Sequence, residues 1–341
     1  MTILTALFLI LVAGIANGSF ALPTKHVSKW KFENIWLQYC IWTFLIIPWI
    51  VAYFLSPQIF DIYMQTPTII LTVMILGGLV FGIGQICFAL SINMIGIGLA
   101  FVINLGLSIM LGFLLPLVIQ HPQQIFTPFG IITLGGCIFA VSGLILSNLA
   151  GNSHHKQKQE ISDTETKSRF YSLGAVLAVV AGLSSAGQNF SFSFTSQMQQ
   201  FAIHMGAQHV GAATIMWPGF LLCAFIPYTS FMIFLHIKNR SFSNLKLPGT
   251  GIYYLFALFM GLLYYGSIIL YSKASQIIGA LGPLVGWPLF MALIILVSNY
   301  WGWRSGEWTG CSAKVKHTLW LGLFCLLLSI VVLGYSSVIH T

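Results

Sequence analysis

"GLVFGIGQICFALSINMIG" (78–96) lines up without a gap on "GLLYYGSIILYSKASQIIG" (261–279). Gly78 falls on Gly261, Phe81 on Tyr264, Phe88 on Tyr271, Asn93 on Gln276 and Gly96 on Gly279. A shorter echo, "VAG", occurs at 12–14 and again at 180–182. The matched stretches lie within apolar runs. About 20 such residues cross the roughly 30 Å of hydrocarbon in a bilayer. The pairing therefore predicts a chain built twice from one unit of membrane helices.

Composition agrees. Of 341 residues 57% are apolar and 6% charged, against about 25% charged in a water-soluble domain. The alternating segments of about ten residues that mark a membrane barrel do not dominate. Apolar runs, read against charge and Pro/Gly breaks, give ten helices over 3–22, 36–55, 69–92, 97–119, 128–148, 171–193, 209–235, 250–273, 281–301 and 317–339. The first run, which ends in "AGIANG", resembles a signal peptide. It has no basic residue ahead of it, and it reads as a retained helix. Helix 3 then pairs with helix 8, and helix 1 with helix 6. A five-helix unit repeated once enters the membrane in opposite directions, so the fold expected is all-α with two inverted five-helix repeats. Secondary transporters are often built this way, with substrate held near the midplane where the repeats meet.

The basic residues orient the chain. Lys25, Lys29 and Lys31 lie between helices 1 and 2, and Lys156, Lys158, Lys167 and Arg169 between helices 5 and 6. Lys238, Arg240 and Lys246 join helices 7 and 8, and Arg304, Lys314 and Lys316 join helices 9 and 10. All these loops open on one side, and the positive-inside rule makes that side cytoplasmic. Both termini are then expected outside. The net charge of +8 belongs to these loops and calls for no nucleic acid. Residues 151–170 are the one long polar stretch. They read as a cytoplasmic linker between a first repeat (1–150) and a second (171–341), with His154 and His155 in a solvated loop rather than a metal site. Six cysteines show no metal-ligand spacing and read as free thiols.

Pairs of glycines four residues apart (Gly14/Gly18, Gly78/Gly82, Gly282/Gly286) let helices approach closely. None of the six acids, Glu33, Asp61, Glu160, Asp163, Glu165 and Glu307, lies within a helix core, where a coupling carboxylate is usually placed. The titratable groups left near the spans are His26, Glu33, His204, His209 and Lys273. The spans hold neutral amides and aromatics instead. Asn17, Gln85, Asn104, Gln188, Asn189, Trp217, Tyr265 and Trp287 are the candidate substrate-binding residues. Amides both donate and accept hydrogen bonds, and aromatic rings stack on the C–H faces of a sugar. A charged substrate would call for a buried partner of opposite sign, so the expected ligand is a small neutral polar molecule. No cofactor or metal is called for. Neither HExxH, GxSxG nor paired intramembrane carboxylates occur, so no enzyme is expected.

The stretch "FALPTKHVSKWKFENIW" (20–36) resembles the end of helix 1 and the first loop of the L-rhamnose–proton symporter family, within the drug/metabolite transporter superfamily. "GGLVFGIGQICFALSINMIGIGLAFVINLGLSIMLGFLLPLVI" (77–119), "GLLYYGSIILYSKAS" and "SNYWGWRSGEW" resemble further parts of it. The resemblance is distant and covers most of the chain. It implies a ten-helix carrier of the bacterial inner membrane that takes up a sugar with a proton. Some members carry acids around the starts of helices 7 and 9, where this chain reads "FAIHMGAQHVGAATIMW" and "GALGPLVGW". His204, His209 and Lys273 are therefore the proton-coupling candidates. The alternative is a facilitated exchanger or exporter of another small metabolite. The charge pattern makes a direct prediction. A cysteine at position 61 should be labelled from outside, and one at position 158 only after the cells are permeabilised.

Overall fold

The computed structural model describes residues 2–158, 168–306 and 308–339. Glu160, Asp163, Glu165, Lys167 and Glu307, with residues 159–167 of the expected linker, lie outside the described residues. Among the described residues, ten helices are long and apolar enough to cross a membrane, and no strand occurs. They are helix 1 (Ile3–Ser19), helix 2 (Phe32–Leu55), helix 3 (Thr68–Ile95), helix 4 (Ile97–Gln120) and helix 5 (Pro128–Lys158). Helix 6 (Ser168–Phe194), helix 7 (His209–Asn239), helix 8 (Gly251–Ile278), helix 9 (Gly282–Arg304) and helix 10 (Ala313–Ile339) follow.

All ten expected helices are present, with shifted ends. Helix 2 begins at Phe32 rather than 36. The Asn34 side chain accepts the Lys31 backbone N–H at 2.9 Å, an N-terminal cap that starts the helix ahead of its apolar run. It is not uniform along its length. Residues Ile41–Ile46 form a π-helical turn just ahead of Pro48. Helix 5 runs on to Lys158, so His154 and His155 lie on its last turns rather than in a loop. Histidine and lysine suit the negative end of a helix dipole, which lets the helix continue beyond its apolar part.

The sequence match survives in three dimensions. Helices 3 and 8 are each 28 residues long and stop at the matched glycines. Gly96 has φ 83° and ψ 156°, and Gly279 φ 96° and ψ −150°, conformations essentially closed to other residues. The packing also repeats. Helix 3 lies on helices 6 and 7, and helix 8 on helices 1 and 2. Helix 4 lies on helix 6 and helix 9 on helix 1, while helix 5 packs beside helix 4 and helix 10 beside helix 9. Helices 2 and 7, 4 and 9, and 5 and 10 meet across the halves. Exchanging the halves turns each of these pairings into another of the set.

Small residues make the contacts close. Gly14 faces Leu293 of helix 9, and Gly182 faces Leu107 of helix 4. Gly78 lies against the Phe220 carbonyl of helix 7, and its match Gly261 against Thr43 and Trp42 of helix 2. Lipid gives helices no hydrophobic reason to associate, so such packing and interhelical hydrogen bonds carry the bundle. The apolar side chains left outside, such as Phe8, Phe54, Trp320 and Val331, suit a hydrocarbon surround. Gly78→Val should cost about 1–3 kcal/mol, the usual range for overpacking, and lower the thermal unfolding midpoint of the detergent-purified protein. Gly135→Ala, whose Cβ meets nothing within 4 Å, should leave it unchanged.

Candidate functional site

One face of helix 8 carries Tyr264, Ser267, Tyr271 and Ser272. Their spacing of three, four and one residues holds them on one side of the helix. Each meets a polar group from a different part of the bundle. Ser267 accepts a hydrogen bond from Asn17 of helix 1 at 2.8 Å. The Tyr264 hydroxyl lies within hydrogen-bonding reach of Gln188 on helix 6. Tyr271 donates to Asn189 Oδ1 at 2.6 Å, and Trp217 Nε1 of helix 7 donates to Ser272 at 2.7 Å. Around them the rings of Trp217, Phe192, Tyr271 and Trp287 form a continuous aromatic lining, with successive centroids 5.4, 5.4 and 5.6 Å apart.

Asn189 sits at the centre because of a proline. Pro116 has no N–H, so the Gly112 carbonyl one turn back on helix 4 lacks its helical donor. Asn189 Nδ2 supplies one at 2.9 Å, and also donates to the Pro283 carbonyl of helix 9 at 3.0 Å. With Tyr271 bonded to its oxygen, this fully buried amide joins helices 4, 6, 8 and 9. Gly112 has a second role. A Cβ there would lie 2.6 Å from the indole nitrogen of Trp287. Its absence lets Trp287 Nε1 donate to the Ser108 carbonyl at 3.1 Å. A turn along helix 6, Ser185 donates to Asn104 of helix 4 at 3.1 Å.

Asn17, Asn104, Gln188, Asn189, Trp217 and Trp287 thus converge on the junction of the two halves. Gln85 is half-buried on helix 3, outside this network. Tyr265 turns from the helix 8 stripe towards Tyr63, and its buried hydroxyl has no partner. His204 and His209 are exposed, at the end of the short helix Gln197–His204 and at the start of helix 7. Lys273 donates to Gln276 at 2.6 Å, with Gln199 beyond it, and stays apart from the central network. The serines at 108, 185, 267 and 272 were not singled out from sequence. A serine in an apolar run gives no signal of its own there. The spacing from Tyr264 to Tyr271 was the usable clue.

Bridges between the halves flank this centre on both sides. On one, the first loop is tied to the loop after helix 7. Trp30 donates to the Asn244 carbonyl at 2.9 Å, Lys29 to Pro248 at 2.8 Å and Asn34 to Ser241 at 2.8 Å. On the other, Gln208 donates to the Leu55 carbonyl at 3.1 Å. Tyr63 donates to Ile215 at 2.8 Å and accepts the Gly219 N–H at 3.1 Å.

A family model described as L-rhamnose-proton symport protein (RhaT) matches residues 1–338. The chain is 25% identical over 349 residues to a Mannheimia succiniciproducens protein named L-rhamnose-proton symporter, covering 98% of each chain. It is 24% identical over 331 residues to proteins of the same name from Yersinia pestis and Yersinia pseudotuberculosis, covering 95% of each.

The network predicts unequal costs. Asn189→Ala strands the Gly112 carbonyl and the Tyr271 hydroxyl, at about 1–3 kcal/mol for each buried group left unpaired. Asn17→Ala removes a single bond from Ser267, which keeps its own to the Tyr264 carbonyl, and should cost about 0.5–1.5 kcal/mol. Thermal unfolding of the two purified variants in detergent checks the order.

Proposed function

Because the chain belongs to the L-rhamnose-proton symport protein (RhaT) family, we propose that it takes up L-rhamnose, or a closely similar neutral sugar, together with a proton. It is a multi-pass membrane transporter and not an enzyme. The match over nearly the whole chain carries this reading, and the chemistry of the centre supports it. Amides, serines and tyrosines there offer donors and acceptors without net charge, as a sugar's hydroxyls require. The bonds from Asn17 to Ser267 and from Ser185 to Asn104 are neutral ones that sugar hydroxyls would replace like for like. Trp217, Trp287 and Tyr271 supply faces for the ring's C–H groups. Asn17, Gln85, Asn104, Gln188, Asn189, Trp217, Tyr265 and Trp287 are proposed to line the sugar's path.

Transport would follow from the two halves, 1–150 and 171–341, joined by the linker 151–170 and inserted with opposite orientations. Breaking the bridges on one face while keeping those on the other opens the centre to one side at a time. The face with Lys25, Lys29 and Lys31 is cytoplasmic in this reading, with both termini outside, in the inner membrane of a bacterium. His204, His209 and Lys273 remain coupling candidates on the opposite face, where they would meet an incoming proton.

The test is uptake of labelled L-rhamnose and a small panel of neutral sugars by cells expressing the protein, with and without a protonophore. Accumulation that collapses with the protonophore is the expected result. Equilibration without accumulation, insensitive to the protonophore, would replace symport by facilitated exchange or export.

A further inference from the structure

Among the described side chains, Glu33 is the one buried carboxylate and His236 the one buried histidine, 3% and 0% exposed. They come from different halves and meet where helix 2 packs on helix 7. This pairing maps onto itself when the halves are exchanged, so the opposite face offers a comparison. There the junction is made by Gln208 with Leu55 and by Tyr63 with Ile215 and Gly219, with no acid–base pair. We propose that Glu33, Ser241 and His236 bind the coupling proton and that they hold the cytoplasmic face closed until it binds. The inference rests on the proton-symport reading.

The geometry is that of a relay. The Ser241 hydroxyl lies 3.1 Å from His236 Nδ1 and within hydrogen-bonding reach of the Glu33 carboxylate. Asn34 fixes this residue by donating to its carbonyl at 2.8 Å. Phe242 stacks on the imidazole at 4.4 Å, and Asn239 donates to Glu33 Oε1 at 3.0 Å. His236 Nε2 is buried and has no hydrogen-bond partner. An Nδ1–H tautomer lets the imidazole donate to Ser241 and Ser241 donate to Glu33, which leaves a bare lone pair on Nε2. A proton taken up at Nε2 then displaces the Nδ1 proton to the Ser241 oxygen, and the Ser241 proton moves to Glu33. One proton enters, the histidine ends neutral in its other tautomer, and Glu33 ends neutral. Hydrogen bonds to a carboxylate are roughly twice as strong as neutral ones, so this step weakens the bond from Asn239 and loosens the bridge.

The surrounding charges are cations. Lys29 and Lys31 of the first loop, and Lys238, Arg240 and Lys246 around the end of helix 7, are all exposed. Helix 3, which packs along helix 7, has Cys87 as its only thiol and no acid or base. Helix 8, which packs on helix 2, brings tyrosines here and carries Lys273 near its other end.

The full-length protein in liposomes separates coupling from transport. Labelled L-rhamnose is followed in two modes, accumulation driven by an imposed pH gradient and counterflow against preloaded unlabelled sugar. Glu33→Gln should lose accumulation and keep counterflow, and Ser241→Ala, which breaks the relay with less change of shape, should show the same split. Accumulation by both variants at the wild-type level would overturn the proposal, and so would loss of both modes in both. A wild type that moves L-rhamnose in neither mode would instead overturn the functional reading. For that case, Ile35→Cys, 4% exposed in the closed junction, is labelled from the cytoplasmic face in a chain whose own cysteines are serine. Labelling should rise on acidification and lose that dependence in Glu33→Gln. Labelling indifferent to pH would overturn the proposal whatever the substrate.

Discussion

Inside a bilayer every backbone polar group must find its partner within the protein, and one unmet carbonyl organises the centre of this one. Pro116 removes the donor that Gly112 needs, and Asn189 replaces it from a neighbouring helix. The same amide holds Pro283 and receives Tyr271. Four helices from both halves are thereby fixed around a single side chain. Trp287 can reach Ser108 only because Gly112 has no side chain. Without the proline the arrangement would have no reason to converge on residue 189.

A centre built in this way is polar yet uncharged. That matters because ionised groups at depth are expensive and need partners. The chain keeps its described buried carboxylate at the rim, where helix 2 begins, and leaves hydroxyls and amides in the middle. Neutral hydrogen bonds between side chains are each worth little net. They can be exchanged for those of a sugar at small cost, and a carrier must be able to release what it binds.

The count of helices and their repeat were legible in the sequence, since both rest on long apolar runs and on glycines that permit a conformation closed to other residues. Gly96 and Gly279 announced the ends of helices 3 and 8 a repeat apart. The start of helix 2 was not legible, because its cap lies in a polar stretch with no apolar periodicity to mark it. The central amides could be picked out individually, whereas their serine partners could not. Asn189 stood out as an amide in an apolar run, but its bond to a carbonyl on helix 4 depends on which helices become neighbours. His236 was passed over for the same reason. It reads as a residue near a helix end until Glu33, two hundred residues earlier, is found beside it.

The wide turn at Ile41–Ile46 gives helix 2 a property its neighbours lack. Such a turn contains one more residue than an ordinary one, and that surplus residue can migrate along the rod. Each position it travels turns the residues it passes by about 100° and shifts them along the axis by about 1.5 Å, while backbone pairing is kept. Helix 2 can therefore act as a screw, coupling rotation at its loop end to translation beside Gly261 and Tyr264 without being bent or unwound.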